Sequence, residues 1–253
     1  MNKTKANLDK GLLIGTRPLL EAIEAGKEID KVMIQRGLKS PTFQELLPYI
    51  KKHQVPFQYV PIEKLNRITR KNHQGVIAFS SSVEFQNIET IVEDCFAQGK
   101  NPLILLLDRV TDVRNFGAIC RTAECTGVDA VVVPTRNSAP VNFDALKTSA
   151  GALHHIPVCR EMNLKETISY LKNSGLKMIG CTEKTDDLLF ETDLSGPACL
   201  VMGSEENGIS PEYLKMCDYK VKLPMSGKIG SLNVSVATGA LLYEVVRQRS
   251  LAN

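Results

Sequence analysis

The chain has 253 residues, of which 43% are hydrophobic and 23% are charged, a composition typical of globular proteins. No apolar run approaches the roughly 20 residues that span a bilayer, and the polar opening MNKTKANLDK lacks the apolar core of a signal peptide. These features argue against a membrane partner or a secreted protein. They predict a cytoplasmic protein with one large domain or two modest ones.

The charge is unevenly spread along the chain. Residues 1–82 contain 14 Lys or Arg against 7 Asp or Glu, a net charge of +7, whereas the remainder carries −4. A basic first third predicts a module that binds a polyanion. A solvated charged surface explains the same numbers equally well.

The first third alternates short apolar strands with helices. In chain order, we expect a strand over 12–15, a helix over 17–25, a strand over 31–35, a helix over 42–52, a strand over 57–60, a helix over 61–68 and a strand over 75–80. The small polar residues at 80–82 bury little apolar area and predict a linker. The pattern predicts a compact α/β unit at the start of the chain.

The remainder also alternates between the two element types. We expect strands over 103–107, 130–133, 177–181 and 199–202, and helices over 88–97, 117–126, 164–173 and 234–248. The unbroken aliphatic run at 103–107 is typical of a central parallel strand covered on both faces. The sequence therefore predicts an α/β fold with a parallel sheet.

Three loops rich in glycine and polar residues follow β-like segments, at 108–127, 202–210 and 223–235, and each leads into a helix. In open α/β sheets, ligands bind where the carboxyl ends of strands open into loops. The sequence therefore predicts that these three loops form a binding site.

The first loop offers an amide and a guanidinium. Asn115 precedes the predicted helix and is a candidate for its N-cap. Arg121 shares a helical face with Glu124, three residues on. Arg121 can bind a phosphate or stabilise a developing oxyanion, or it can simply pair with Glu124.

The other two loops offer carboxylates and further caps. Glu205 and Glu206 stand in a turn flanked by glycines, where they can bond to ribose or amine groups or remain solvated. Ser231 and Asn233 stand directly before an apolar helix, where they can cap it or present polar groups to a ligand.

Other cofactor motifs are missing from the sequence. No G-x-G-x-x-G follows the first strand of the second part, and the G-x-x-x-x-G at 203–208 lacks the Lys of a P-loop. The seven cysteines include no C-x-x-C pair, which predicts reduced, buried thiols. The adjacent His154 and His155 would point opposite ways on a strand, so we expect no metal site there.

The three loops resemble the three motifs of the SpoU/TrmH-type RNA 2′-O-ribose methyltransferases in the SPOUT superfamily. The matching residues are, in order, Asp112, Asn115, Gly117, Arg121, Thr122, Ala123, Glu124 and Gly127; then 201–205 with Gly208; then Pro224, Met225, Gly227 and 231–237. One departure is that relatives commonly carry Pro after the first-motif Asp, where this chain has Val113 and Arg114. Arg114 adds a candidate phosphate contact.

The first third carries a second resemblance. The segments 15–22 and 74–76 are similar to the L30e-type RNA-binding domain of the bacterial 23S rRNA guanosine ribose methyltransferases. Together the two resemblances span nearly the whole chain. They imply an L30e-like RNA substrate-binding domain at 1–82 and a SpoU-type (SPOUT) methyltransferase domain at 88–253.

The resemblance implies a C-terminal trefoil knot, an exception to the rule that chains do not thread their own loops. The knotted loops would hold S-adenosyl-L-methionine, and a guanosine ribose of 23S rRNA would accept its methyl group. By position, the cofactor-contacting residues are Met202, Gly203, Leu223 and Leu232, and the catalytic residues are Asn115, Arg121, Glu205, Ser231 and Asn233. Because a neutral Arg is very hard to reach, we assign Arg121 to orientation and oxyanion stabilisation.

We further expect a homodimer, because relatives dimerise and the helix over 234–249 is apolar on several faces. We assign RNA contacts to Arg114 and to the basic cluster Arg67, Arg70 and Lys71. Three alternatives stay open: tRNA as the substrate, a non-catalytic L30e-type RNA-binding protein, and a small-molecule enzyme with a nucleotide cofactor. The second leaves the three loops unexplained, and the third leaves the basic first domain unexplained.

Overall fold

The computed structural model describes residues 11–252, which divide into two compact units. The first comprises residues up to Glu84 together with Pro140–Asp144, and the second comprises Phe85–Ala139 with the residues from Ala145 onwards. The serines expected to form a linker belong to the first unit: Ser81 N donates to Glu28 O at 2.8 Å, and Ser82 N to Val141 O at 2.9 Å. The predicted linker at 80–82 therefore lies within the first unit, whose boundary follows Glu84.

The first unit is built around a four-stranded sheet of order β1-β4-β2-β3. Strand β4 runs antiparallel to β1 and β2, while β2 and β3 are parallel. Its elements are β1 (Leu12–Ile14), α1 (Thr16–Glu24), β2 (Ile29–Gln35), α2 (Pro41–Lys52), β3 (Phe57–Val60), α3 (Ile62–Ile68) and β4 (Val76–Ser80).

The two faces of this sheet are covered differently. On one face, α1 and α2 bury a large apolar cluster that includes Leu19, Ile34 and Leu46. On the other, a smaller cluster around Leu65 of α3 leaves Met33 and Phe79 only half-buried. The second face is therefore the more open of the two.

The second unit is built around a six-stranded, wholly parallel sheet of order β10-β8-β9-β5-β6-β7. Its elements are α4 (Ile88–Ala97), β5 (Leu103–Leu107), α5 (Val113–Cys125), β6 (Ala130–Pro134), α6 (Phe143–Thr148), β7 (Val158–Glu161), α7 (Leu164–Asn173), β8 (Lys177–Cys181), β9 (Ala198–Met202), α8 (Pro211–Leu214), β10 (Tyr219–Val221) and α9 (Val234–Ala252), with 3₁₀ turns at Ala152–His154 and Leu189–Glu191. The first two residues of α6 belong to the first unit. The predicted parallel α/β sheet is confirmed.

The strand order reverses at the middle of this sheet. The chain adds β6 and β7 on one side of β5, then returns to place β9 and β8 on the other side. Both β5 and β9 are buried at every position, as expected of central strands covered on two faces. Ligands in open α/β sheets bind at such a switch point, outside the carboxyl ends of the strands.

Several predicted boundaries shift in the structure. Helix α5 begins at Val113 rather than 117, because Asp112 caps it: the Asp112 carboxylate accepts from the backbone N–H groups of Arg114 and Asn115, both at 2.9 Å. Strands β7 and β10 escaped prediction because both are short and only partly buried. Their weak apolar periodicity gives little signal.

Helix α9 is tied to the sheet near its end. Arg249 donates to the carbonyl oxygens of Asn101 at 2.9 Å and Gly196 at 2.8 Å, which precede β5 and β9.

Over the part of the chain that is described, no helix combines the length and the apolar character needed to cross a membrane.

Gly117 decides how closely α5 packs against the segment after α6. A Cβ at this position would overlap Thr148 Oγ1 and lie 2.9 Å from Ser149 N. We expect Gly117→Ala to lower the free energy of unfolding by about 1–3 kcal/mol through overpacking. Urea denaturation measures the change. The matched control is Gly196→Ala, whose Cβ would meet no atom within 4 Å; equal stability of the two variants would contradict this packing argument.

Candidate active site

Side chains from the three polar loops are hydrogen-bonded to one another at the carboxyl ends of the central strands. Asn233 Nδ2 donates to Asn115 Oδ1 at 3.1 Å and to Glu205 Oε1 at 2.6 Å. One amide therefore joins the first turn of α5, the loop after β9 and the loop after β10. We call Asn115, Glu205 and Asn233 the polar triad.

The triad keeps hydrogen-bonding capacity for a ligand. Within residues 11–252, neither Asn115 Nδ2 nor Glu205 Oε2 has a hydrogen-bond partner. The Asn115 amide nitrogen can donate a hydrogen bond. The second oxygen of Glu205 can accept one, because an ionised carboxylate has acceptors and no donor. The arrangement can therefore hold a hydroxyl group or another small polar group.

Two capping predictions have different outcomes. Asn115 was expected to cap α5, which is wrong, because Asp112 takes that position and leaves the Asn115 amide free to meet Asn233. Asn233 does cap α9, since its Oδ1 accepts from Ser235 N at 3.0 Å and Ser235 Oγ at 2.6 Å. The amide oxygen of Asn233 caps the helix, and its amide nitrogen donates to the other two residues of the triad.

A cavity of about 440 Å³ lies beside the triad. Its wall combines apolar side chains with polar ones, which include the carboxylates of Glu183, Glu205 and Glu206 and the ammonium groups of Lys184 and Lys222. The predicted cofactor-contacting residues all line it, and so does Ser231: Met202, Gly203, Leu223, Leu232. We call this space cavity A.

Gly203 permits the tight loop that bounds cavity A. A Cβ at Gly203 would overlap the backbone of Gly208 and Ile209. The loop is closed by two backbone hydrogen bonds, from Gly208 N to Ser204 O at 2.8 Å and from Ser204 N to Gly208 O at 3.2 Å. Only glycine allows this approach, so the loop depends on it.

A second cavity, of about 300 Å³, lies on the other side of the same loop. It shares residues 204–207 and Val234 with cavity A. The remaining lining comes from the loops after β5 and β6: Arg109, Val110, Thr111, Asp112, Asn115 and Asn137. We call it cavity B. Glu205 lines both cavities, and Asn115 lines only cavity B.

A buried carboxylate fixes the loops around both cavities. Asp108 is 2% exposed and accepts from Ser210 N and Ser210 Oγ, both at 2.6 Å. It also accepts from Arg109 Nε at 3.2 Å and Nη2 at 3.3 Å, and Arg109 Nη2 donates to Gly208 O at 3.1 Å. Sequence reasoning missed this pair, although Asp108 directly ends the aliphatic run of β5.

The predicted basic residues of α5 lie outside both cavities. Arg114 and Arg121 are exposed, and their seven-residue spacing places them on one face of the helix. Arg121 forms no hydrogen bond or ion pair with any residue between 11 and 252, so the predicted alternative of a pair with Glu124 is not observed. Within a single chain, Arg121 is separate from the polar triad.

The basic cluster of the first unit is exposed. Arg67 lines an open groove with Lys64, Met33 and Phe79, while Arg70 and Lys71 follow α3. Nearby, burial and then the charge of Lys64 lower the pKa of Lys31. This unit therefore presents several cations beside apolar surface.

The thiols are mostly inert. Burial raises the pKa of Cys95 and of Cys217 to about 11, and that of Cys159 to about 12. No disulfide is formed among the seven cysteines.

The described part of the chain contains no group of three or more His, Cys, Asp or Glu side chains arranged to hold a metal ion.

Comparisons with known proteins agree with this geometry. Residues 102–243 match the profile described as the SpoU rRNA Methylase family, and residues 12–86 match one described as RNA 2′-O ribose methyltransferase substrate binding. A Staphylococcus saprophyticus protein assigned by name to the TrmH family tRNA/rRNA methyltransferases is 35% identical over 96% of this chain and 98% of its own length. A Bacillus subtilis protein of the same assignment is 33% identical over 94% and 96%.

Two solved structures of similar proteins cover 98% and 64% of the chain. The SpoU methyltransferase AviRb from Streptomyces viridochromogenes, in complex with the cofactor AdoMet, has 27% identity and a TM-score of 0.61 over 98% of this chain and 93% of its own. A TrmH/SpoU tRNA modifying enzyme from A. aeolicus has 30% identity and a TM-score of 0.56 over 64% and 86%.

Asp108 offers a test of how the loops are held. We expect Asp108→Ala to lower the free energy of unfolding by about 3–5 kcal/mol, because it leaves the Arg109 charge and the Ser210 donors without their buried acceptor. The control Asp112→Ala removes an exposed helix cap and should cost only about 1 kcal/mol. Chemical denaturation compares the two. A loss at Asp108 no larger than at Asp112 would show that the buried carboxylate does not hold these loops.

Proposed function

The chain belongs to the SpoU rRNA methylase family, and from this premise we propose that it transfers a methyl group from S-adenosylmethionine to a ribose 2′-hydroxyl in RNA. Membership makes it an RNA methyltransferase of the TrmH/SpoU type. The observation that carries the finer proposal is the polar triad, which joins three loops where cavities A and B meet.

Cavity A fits the cofactor. Its apolar wall, which includes Met202, Leu223 and Leu232, suits an adenosine, and the carboxylate of Glu183 suits the ammonium of the same ligand. The 27% identical neighbour holds AdoMet, which supports the same ligand here. When bound, the cofactor supplies an activated methyl group. The chain's own contribution is to hold that group in a fixed direction.

Cavity B is the proposed place of the acceptor nucleotide. It shares a wall with cavity A, so a hydroxyl held there would lie close to the methyl donor. Asn115 Nδ2 and Glu205 Oε2 are the free donor and acceptor that can orient the ribose. Ser231 lines cavity A near the end of the third loop, shortly before α9, and would complete the site.

We propose that Arg121 acts across a homodimer. In its own chain it lines neither cavity. On the neighbouring helix α9, Val236, Ala240 and Tyr243 form an exposed stripe that a second copy would cover. In a dimer, Arg121 of the partner subunit would stabilise the negative charge that develops on the ribose oxygen. The hydroxyl proton would pass to phosphate or water, since an Arg with a pKa above about 12 stays protonated.

The substrate we propose is a guanosine of 23S rRNA, with tRNA as the second candidate. The match of residues 12–86 to a substrate-binding profile supports an RNA-binding role for the proposed L30e-like domain at 1–82. Its exposed Arg67, Arg70 and Lys71 would contact phosphates, as would Arg114 in the methyltransferase domain at 88–253.

We also propose that the C-terminal segment is knotted. Strand β10 lies at one edge of the sheet, yet the loop that follows it returns to the middle, where Asn233 meets Asn115 beyond β5. The loop must therefore pass over the carboxyl ends of β8 and β9. This path is what a trefoil arrangement of the cofactor loops requires.

Cofactor binding is tested at Gly203. We expect Gly203→Ala to weaken S-adenosylmethionine binding about tenfold or more. The added Cβ would clash with the backbone of the loop, and opening the loop to relieve the clash costs about 1–3 kcal/mol. Isothermal titration calorimetry measures the affinity. Gly196→Ala, outside the three loops, is the control, since its Cβ would meet nothing within 4 Å. Absence of binding by the wild-type chain would refute the proposed function itself.

Methyl transfer is tested at Arg121. We expect Arg121→Ala to lower the single-turnover rate of RNA methylation by roughly 10²–10³, with cofactor affinity unchanged. Arg121→Lys should not restore the rate, because a point charge does not replace a planar fork. Lys100→Ala removes a cation at the opposite, amino end of β5 and serves as the control. A near wild-type rate in Arg121→Ala would remove Arg121 from the mechanism.

The dimer proposal has its own readout. At a cofactor concentration too low to load the weakened cavity A of Gly203→Ala, the Arg121→Ala and Gly203→Ala proteins are each expected to show little activity alone. In a mixed dimer, the Arg121→Ala subunit keeps an intact cavity A and receives Arg121 of the partner subunit. Activity should therefore reappear when the two variants are mixed and allowed to exchange. If Arg121 acts within its own chain, every site in the mixture lacks one component and the mixture stays inactive.

A further inference from the structure

Glu206 is a carboxylate that the proposed reaction leaves without a role. It lies in the 204–207 segment that separates cavities A and B and lines both of them. Its neighbour Glu205 is held by the triad, whereas the Glu206 side chain is exposed and has no hydrogen-bond or ion-pair partner anywhere in 11–252. It is therefore free to bind a ligand.

The cationic side chain that lines cavity B does not neutralise the Glu206 carboxylate. Arg109 is the cationic side chain in its lining, and its guanidinium already donates to Asp108 and to Gly208 O. Asp112 adds a further carboxylate, and the remaining open side chains are neutral: Thr111, Asn137 and Asn207 make no side-chain hydrogen bonds within the described chain. A phosphate would be repelled by Glu205 and Glu206. A neutral ligand with N–H donors fits this lining better.

The four RNA bases differ in how they meet a carboxylate. An ionised carboxylate presents two acceptor oxygens and no donor. Guanine places two N–H donors, N1–H and N2–H, side by side on its Watson–Crick edge. On the same edge, adenine, cytosine and uracil place an acceptor next to each donor, so one carboxylate oxygen would face a lone pair. Two parallel bonds to a charged group are stronger and more selective than one.

We propose that cavity B receives the base of the acceptor nucleotide and that Glu206 selects guanine through paired hydrogen bonds to N1–H and N2–H. This inference rests on the proposed function, since it assumes that cavity A holds the methyl donor. In this proposal the two neighbouring carboxylates bind different parts of the acceptor nucleotide. Glu205, fixed by Asn233, faces the ribose, and Glu206, unpartnered in the protein, reads the base.

The test uses the full-length protein and RNA from a strain that lacks the gene. Wild type, Glu206→Gln and the control Glu93→Gln are compared; Glu93 is an exposed carboxylate on α4, before β5, so the control loses the same charge. After reaction with isotope-labelled S-adenosylmethionine, the RNA is digested to nucleosides and the labelled product is identified by mass spectrometry. Calorimetry measures cofactor binding in parallel.

We expect labelled 2′-O-methylguanosine from wild type and Glu93→Gln. Glu206→Gln should react about tenfold or more slowly, because Gln turns an acceptor oxygen into a donor, while its cofactor affinity stays unchanged. A different 2′-O-methylnucleoside from wild type, or an unchanged rate in Glu206→Gln, would overturn the inference and leave the proposed function standing. Weaker cofactor binding in Glu206→Gln would also overturn it, by assigning Glu206 to cavity A.

A second experiment uses a synthetic RNA that carries the mapped site and tests the contact to the N2 amine directly. Replacing the target guanosine by inosine removes the N2 amine and keeps N1–H. The wild-type rate should fall about tenfold, whereas the already slow Glu206→Gln should be affected little, because the two changes remove the same contact. Equal, additive losses in both proteins would show that Glu206 does not contact this edge. Failure of wild type to bind S-adenosylmethionine or to methylate any RNA would instead refute the proposed function.

Discussion

The side-chain amide of Asn233 couples helix formation to the geometry of the site. Its oxygen caps the first turn of α9, while its nitrogen donates to Asn115 and Glu205 from two other loops. If α9 began one residue later, the amide would no longer reach either partner. Three loops that are far apart in the chain therefore share a single anchoring point, and both cavities lie against it.

The loops can converge because the sheet beneath them is wholly parallel. All of its strands end at the same edge, and β5 and β9 are adjacent where the strand order reverses. The buried Asp108 then fixes the spacing between these two strands' loops by bonding to Ser210 and Arg109. The wall between cavities A and B is thereby held from both sides, which allows two ligands to be presented to each other across it.

Much of the fold follows from local pattern. The aliphatic run of β5 and the long apolar segment of α9 predicted their elements, because burial on two faces of a sheet or on several faces of a helix leaves a strong signal. Asp112, by contrast, outcompeted Asn115 as the cap of α5, which moved the start of the helix. Strands β7 and β10 were missed because short, half-buried segments acquire their β structure from neighbouring strands rather than from their own residues.

The sequence by itself determined which loops carry polar chemistry, since glycines, amides and carboxylates after β-like runs are recorded in residue order. It identified the segments that hold Gly203, Glu205 and Asn233. Only the tertiary structure decided that Asn233 bridges Asn115 and Glu205, that Asp108 is buried between loops, and that Arg121 lines neither cavity. Such contacts join residues about 30 to 120 positions apart, so they depend on strand order and helix rotation, which no local pattern encodes.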